Sequence, residues 1–478
     1  MNDRKAHALL DEARKGRYDR RQILKRGVAL GLSAPAIAAV VAAAAPRPAF
    51  GQTANSNPLG VDPAAPLDVV IFKGGYGDDY AIYVKDSMYA RDFPEAEITY
   101  AGIQRLGEQL QPRFVAGEPP DIIDNSGAGA LDAVALIADG RLADLGDLMA
   151  APSYDTEGAT FAETLLGGTQ EQGVFDGKQF TLNYVVSVLG VWYSRSFMES
   201  KGYTYPKTWT EMLELSEEIK ASGMSPWVTT GVHTQYIRQF MFDQMLWKHD
   251  PQALVDIDNL EADAWKSPAV QDVLEALYQL AERDLLLPGW DGLDHTQSQA
   301  EWLQNRAAFI PVGSWLENEM KDLIPEGFDM VVAPTPSLEG DKIPFEGIFA
   351  GAGEPFIVPA QGKNVAGGKE YLRMLFSKEG GRTFSELTQN LTVVNGAADD
   401  VEFGVATASV QAAIAAAGEN TFNSRYGGWY KDLADEVKQQ FAELMQKQIS
   451  IEEFMDASQE AADAVKDDEG IQKFTREL

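Results

Sequence analysis

Between Leu67 and Asp124 three short β-rich runs alternate with two helix-patterned stretches, and this alternation constrains the fold more than any other feature. Leu67-Asp-Val-Val-Ile-Phe72 reads as a strand, Lys73-Gly-Gly-Tyr-Gly77 as a turn, and residues 79–89 as a helix. A second strand covers residues 98–101. The next helix, over residues 106–115, stops at Gly117, and Pro120-Asp-Ile-Ile-Asp124 enters a third strand. Asn125-Ser-Gly-Ala-Gly129 then opens another helix. Strands separated by helical patterns of about 10–15 residues pair in parallel, so an α/β architecture is expected.

Farther along, residues 185–193 form the longest β-rich run, with Val, Leu and Trp throughout. Thr208-Trp-Thr-Glu211 has capping-box spacing, and Met212, Leu215 and Ile219 mark one face of the helix it starts. Val270, Val273, Leu274, Leu277 and Leu280 mark another. Residues 330–332 and 356–358 read as later strands. From Trp429 onward the pattern is helical, with Val437, Phe441, Leu444 and Met445 as its apolar stripe.

Several chemistries drop out at once. Gly75-Tyr76-Gly77 lies between a strand and a helix, but Tyr80 stands where a dinucleotide fingerprint needs its third glycine. No Gly-Lys-Ser/Thr phosphate loop follows. What remains is a turn where a ligand can approach backbone N–H groups. The chain has no cysteine, and its 4 histidines, His7, His233, His249 and His295, lack metal-ligand spacing. Neither metal nor cofactor is expected. Adjacent acids such as Asp78 and Asp79 are common in so acidic a chain and read as solvated surface. The net charge of −32 disfavours nucleic acid and anionic lipid as partners.

Residues 1–51 read as an export signal. The basic part carries Asp19-Arg20-Arg21-Gln22-Ile23-Leu24-Lys25, which resembles the twin-arginine pattern. An Ala-rich apolar stretch runs from Gly27 to Ala45, and Ala49-Phe50-Gly51 has the small-x-small form of a cleavage site. This segment holds 10 of the 40 basic residues but only 4 of the 72 acidic ones, so the chain from Gln52 onward carries −38. With no cysteine to lipidate, the expected product is soluble and periplasmic. Residues 52–66, rich in Pro, Ala and Asn, read as a linker.

The residues that suggest a ligand are aromatic. Tyr76, Tyr184, Tyr236, Trp315 and Trp429 each stand near the end of an element, beside Gly, Asn, Gln or Ser. A pyranose offers apolar C–H faces ringed by hydroxyls, so a site for it needs flat aromatic platforms with amides or carboxylates around them.

Several segments, in order, resemble the extracellular solute-binding proteins of carbohydrate ABC transporters, the family that includes maltose-binding proteins. They are Ala116-Gly-Glu-Pro-Pro-Asp-Ile-Ile123, Val191-Trp-Tyr-Ser-Arg195 with Pro206-Lys-Thr-Trp209, Ala307-Ala-Phe309 with Val312-Gly-Ser-Trp315, Pro334-Thr-Pro336, and Phe356-Ile-Val-Pro359 before Phe376-Ser-Lys-Glu-Gly380. Phe72-Lys-Gly-Gly-Tyr-Gly-Asp-Asp-Tyr80, Val312-Gly-Ser-Trp-Leu-Glu-Asn-Glu319 and Leu391-Thr-Val-Val-Asn-Gly-Ala-Ala398 look most like the N-acetylglucosamine/diacetylchitobiose-binding branch.

The resemblance implies two α/β lobes of Venus-flytrap type with crossing strands between them and a helical C-terminus. Residues 67–185 plus 334–390 would form the first lobe, and 186–333 plus 391–478 the second. Crossovers would fall near residues 185–189, 330–333 and 391–395. It also implies a carbohydrate ligand, a membrane permease as partner, a monomer and no catalysis. By position it assigns Trp315 and Trp429 as stacking platforms, Gln235 and Tyr236 to a second-lobe loop, and Asn125, Gly75 and Tyr76 to first-lobe contacts. Glu354 borders the cleft. The same fold with a maltooligosaccharide-type ligand, or an exported carbohydrate-active enzyme, are the alternatives.

Overall fold

The computed structural model describes residues 57–127 and 129–478; the twin-arginine segment and the first part of the linker lie outside the described residues. The rest of that linker is folded. Asn57 Nδ2 donates to Val61 O at 2.7 Å, Val61 N returns a bond to Asn57 Oδ1 at 2.8 Å, and Val61 enters the core.

Ten strands make one mixed sheet. In chain order they are β1 (Leu67–Phe72), β2 (Ile98–Ile103), β3 (Ile122–Asp124), β4 (Thr181–Ser194), β5 (Ser225–Trp227), β6 (Ala307–Gly313), β7 (Met330–Ala333), β8 (Ile348–Ile357), β9 (Leu391–Thr392) and β10 (Thr421–Phe422). The spatial order is β2-β1-β3-β8-β4-β6-β5, with β7 and β9 on β4 and β10 on β8. β1 pairs in parallel with both β2 and β3, as the strand–helix alternation predicts.

Two lobes form because β4 and β8 each pass through two separate cores. Leu182, Tyr184 and Val185 of β4 join Phe356 of β8 in a first-lobe core with Val69, Ile71, Tyr80 and Phe384. Val188 and Trp192 of β4 join Ile348 of β8 in a second-lobe core with Trp302 and Ile310. The two strands run antiparallel across the boundary, Gly353 opposite Val185 and Phe349 opposite Leu189.

One expectation about the crossovers needs correction. β7 stays within the second lobe, where it pairs with residues 191–194 of β4; the crossing strand is β8. Its middle reads Ala-Gly-Ala-Gly-Glu-Pro, a sequence of low β-propensity. The ladder to β4 supplies the order that side chains do not. Residues 391–395 do cross, since Leu391 and Thr392 pair with Val186 and Val185, but Val393, Val394 and Ala397 then pack into the first-lobe core.

Local signals were strong where caps were involved. Helix Leu106–Ala116 ends on Gly117 at φ +73, the left-handed turn that favours glycine. Helix Trp209–Ala221 begins with the full Thr208/Glu211 capping box, worth about 1 kcal/mol, and buries Met212 and Ile219. Helix Pro268–Glu282 buries all five of its stripe residues. By contrast, no helix opens at residues 125–127. The side chain of Asn125 closes a loop onto Leu131, and the helix starts at Ala133 with Asp132 as its cap. Helices Lys431–Met445 and Ile451–Asp467 fill out the second lobe, and residues 468–478 fold back without helix.

Candidate functional site

The turn after β1 and the turn after β6 meet across the boundary between the lobes. Gly77 N donates to Gly74 O at 2.9 Å, and Gly77 sits at φ +67, which makes the first turn tight. Gly75 lies directly on the Trp315 indole: a Cβ there would stand 2.9 Å from Trp315 Cδ1, so only glycine permits the approach. Asn318, on the short helix Leu316–Met320, donates from Nδ2 to Gly75 O at 2.7 Å. Trp315 consequently packs against both lobes' cores.

An aromatic wall stands behind the indole. Tyr236 lies 6.3 Å from Trp315 at 81° and Phe240 lies 5.9 Å away at 67°, both edge to face, while Tyr236 and Phe240 touch at 4.6 Å. Next to them Glu319 is held from two sides, by Gln299 Nε2 at 2.8 Å and by His295 Nε2 at 3.3 Å. That bond from Glu319 is the main reason the His295 imidazole titrates above its ordinary value. Burial, and then the His295 charge, push His233 the other way. Gln299 Oε1 and Gln235 Oε1 are buried without a partner among the described residues, two acceptors that a ligand hydroxyl could satisfy.

The first lobe contributes carboxyls. Asp124, at the carboxyl end of β3, is fully buried and accepts from Ser126 Oγ at 2.5 Å and Tyr80 OH at 3.2 Å. Glu354 stands on β8 at φ +57, an unusual backbone for a non-glycine residue in a strand. Burial, and then the Asp124 charge, hold the Glu354 carboxyl well above the usual range, and burial pushes Asp124 up to about 7. Neither carboxyl has an ion pair among the described residues. Tyr76 borders this group, its ring 5.4 Å from Phe384 and its hydroxyl 3.3 Å from Ser187 Oγ on β4.

The structure thus brings Gly75, Tyr76, Tyr236, Trp315 and Glu354 together, with Gln235 adjacent in sequence to Tyr236. Two expected contacts belong elsewhere. Tyr184 is fully buried among Tyr80, Phe356, Phe376 and Phe384, so it is a core residue. The side-chain amide of Asn125 is already spent on both backbone groups of Leu131. Trp429 is partly buried and lies against Phe474 and Tyr430, apart from the Trp315 wall. A separate groove of about 450 Å³, lined by Tyr193, Val332, Phe345 and Ala412, opens on the second lobe alone.

Sequence reasoning missed Asp124, Ser126, Ser187, Phe240, His295, Gln299, Asn318 and Glu319. For Asp124 a signal existed, because ligand sites in α/β sheets sit at the carboxyl ends of parallel strands. His295 and Gln299 share the helix His295–Leu303, and Glu319 reaches them from the helix Leu316–Met320 only in the fold.

Residues 78–382 match the family described as bacterial extracellular solute-binding protein. Over 471 residues the chain is 32% identical to the diacetylchitobiose binding protein NgcE of Streptomyces coelicolor, covering 96% of this chain and 98% of that one. It is 19% identical over 331 residues to the multiple sugar-binding protein of Streptococcus mutans, with 66% and 72% of the two chains covered. Among solved structures it is similar in fold to a chitin oligosaccharide binding protein, with a TM-score of 0.68 at 17% identity over 83% of this chain and 98% of that one. A second is RafE in complex with raffinose, at TM-score 0.66 and 14% identity, covering 84% and 99%. With the match running through both lobes and the cleft between them, the chain belongs to the bacterial extracellular solute-binding protein family.

Proposed function

We propose that the chain is the substrate-binding subunit of a sugar ABC importer. It captures N-acetylglucosamine or a chitobiose-type oligosaccharide between its lobes and delivers it to a membrane permease. The observation that carries this reading is the near full-length match to a diacetylchitobiose binding protein. The cleft chemistry supports it: a partly buried indole beside Tyr236, amide oxygens without a partner among the described residues, and carboxyls that are protonated more readily than usual and can therefore donate to a sugar oxygen.

The mechanism follows from the two crossing strands. Bending β4 and β8 separates the Gly75 turn from Trp315, which opens the cleft. A sugar that touches both walls favours the closed form by its extra contacts there, and by no more than that. The protein is proposed to carry no catalysis. Asp124 and Glu354 sit on neighbouring strands of one lobe, whereas glycoside hydrolysis needs carboxyls flanking the scissile bond. Export by the twin-arginine route, cleavage after Gly51 and a periplasmic monomer belong to the same reading, as do two lobes that divide near residue 185, with Ile348 assigned to the second and residues 393–397 to the first. Among the described residues no helix is long and apolar enough to cross a membrane.

A thermal-shift and calorimetry panel of N-acetylglucosamine, chitobiose, maltose, cellobiose and raffinose, with product analysis on the same samples, tests the proposal. Selective stabilisation by the amino sugars, without turnover, is expected. A response to none of them would overturn the sugar assignment, and released monosaccharide would overturn the non-catalytic one.

A further inference from the structure

The short helix after Trp315 presents a carboxylate that two other side chains hold in place. Asn318 of helix Leu316–Met320 reaches the first-lobe turn, and Glu319 N donates to Trp315 O at 2.9 Å, so Glu319 sits one helical turn from the indole. His295 and Gln299 of helix His295–Leu303 are four residues apart and therefore share a face. Gln299 Nε2 donates to Glu319 Oε2 at 2.8 Å, and His295 Nε2 stands 3.3 Å from Glu319 Oε1. The Asp294/Gln297 capping box fixes the start of that helix, and with it the His295 backbone. A carboxylate oxygen has two lone pairs, so each Glu319 oxygen can accept once more.

Glu319 acts on groups from both lobes. Burial and then the Glu319 charge raise the Tyr236 hydroxyl, while the Tyr76 hydroxyl of the first lobe is raised by burial, Glu354 and Glu319. Among the described residues no lysine or arginine pairs with Glu319, which leaves His295 as its counter-charge. The Glu319 side chain is 12% exposed and that of His295 34%, so the carboxylate has lost most of its water while the imidazole still exchanges protons with solvent. Around His295 stand Asp294 on its own helix, the His233 ring at 5.4 Å and the Tyr236 ring at 6.3 Å. Around His233 stand Asp294 and, from helix Lys431–Met445, Lys438. The bond from Glu319 raises His295, whereas burial and the His295 charge lower His233, so the first proton this pair of rings takes up goes to His295.

We propose that Glu319 accepts a hydrogen bond from a sugar O–H or N–H, and that His295 supplies the positive charge that lets the closing cleft bury it, so that capture of sugar takes up a proton. This rests on the reading of the cleft as a sugar site and adds the residue pair that makes that site depend on pH. A bound sugar removes the water that Glu319 still has. Burying a lone carboxylate is costly, and burying one already paired and hydrogen-bonded is far less so. Neutral His295 can still donate its Nε2–H, so losing the proton keeps the geometry and removes only the charge. Binding therefore favours the protonated imidazole. By linkage, affinity is full below the titration of sugar-free His295 and is lost as pH rises through that of the complex. At lower pH a second proton, on His233, opposes the first across 5.4 Å. His295 is a positioning residue: it touches Glu319 and not the sugar.

The test is calorimetry of chitobiose on the full chain at about pH 6 and about pH 8.5, read as the ratio of the two Kd values. Asp124 and Glu354 also titrate upward of the usual carboxylate range, and their share of any slope persists in His295→Gln, which keeps a donor for Glu319 but cannot be charged. The wild-type ratio, Kd at the higher pH over Kd at the lower, should exceed that of His295→Gln by at least about threefold. Glu319→Gln should lose the same part of the slope and weaken binding at the lower pH by at least about tenfold. Equal ratios in wild type and His295→Gln would overturn the inference even if the variant binds more weakly throughout, because mere structural support moves both Kd values together. Full affinity in Glu319→Gln would overturn it as well. Proton NMR of the wild type needs no variant: the His295 imidazole should titrate at higher pH with sugar than without, and an unmoved titration refutes the coupling. Chitobiose binding without this slope overturns the inference alone, whereas no binding at any pH overturns the sugar assignment on which it rests.

Discussion

Replacing Gly75 with alanine should hinder closure of the lobes while leaving each lobe intact. The added Cβ would lie 2.9 Å from Cδ1 and 3.0 Å from both Cβ and Cγ of Trp315. Ordinary carbon–carbon contact is about 3.5–4.0 Å, so the turn and the indole must part by roughly 0.5–1 Å. Trp315 has little room to yield, since Tyr236 and Phe240 stand behind it at 6.3 and 5.9 Å. Overpacking of this kind costs about 1–3 kcal/mol. The cost falls on the closed state alone, because in the open state the two turns are apart. Affinity for sugar should then fall by about 5- to 150-fold, with the melting temperature of the sugar-free protein little changed. Calorimetry gives the affinity, and small-angle scattering with and without sugar gives the degree of closure. Wild-type affinity in Gly75→Ala would refute the reasoning, for it would mean that these turns do not meet when ligand is bound.

Trp315→Ala removes the platform itself; one indole face of about 75 Å² at ~25 cal/mol per Å² corresponds to ~2 kcal/mol, so sugar affinity should fall at least about tenfold, as measured by calorimetry. Tyr184→Phe removes a buried hydroxyl that has no partner among the described residues, so stability should hold or rise by up to ~1 kcal/mol in a denaturant melt, with sugar affinity unchanged. Burial raises Asp124 to about 7 and also raises Glu354, so the folded state favours their protonated forms. The contribution of Asp124 to stability is full below about pH 4, the unfolded value, and is lost as pH rises through about 7, and that of Glu354 is lost in the same direction. Thermal melts should therefore show less loss of Tm between pH 5 and pH 8 in Asp124→Asn than in wild type, by at least ~2 °C.

The first lobe was the most legible part of the fold. Its β1–β3 units carry apolar runs, glycine stops and caps that act within a few residues of one another, which is the range over which sequence patterns inform. The crossing strand β8 was not legible, because Ala-Gly-Ala-Gly becomes a strand only when β4 lies alongside it. The hairpin at Asp176-Gly177 did carry a local signal, a turn dipeptide that forces φ positive, yet no apolar alternation flanked it. Within the site, residues beside glycine turns, such as Gly75 and Trp315, were readable. Glu319 was not, since its partners His295 and Gln299 lie about 20 residues away on another helix. Tyr184 shows the opposite failure: a tyrosine near a strand's end looks like a ligand contact until four other rings enclose it.

The path of the chain through its two cores also sets when the protein can finish folding. The first-lobe core contains Val61 and Val185 but also Phe356 and Ala397, so neither lobe is a contiguous stretch that could complete itself as it is synthesised. Residues 61–185 wait for partners made about 210 residues later, which is ~10–40 s at ordinary synthesis rates. During that interval β1, β3 and the first half of β4 present unpaired edges and apolar faces to whatever is nearby. A chain with this threading depends on being kept apart from its neighbours until residue 397 has emerged, and its yield should be far more sensitive to chaperone supply than its final stability suggests.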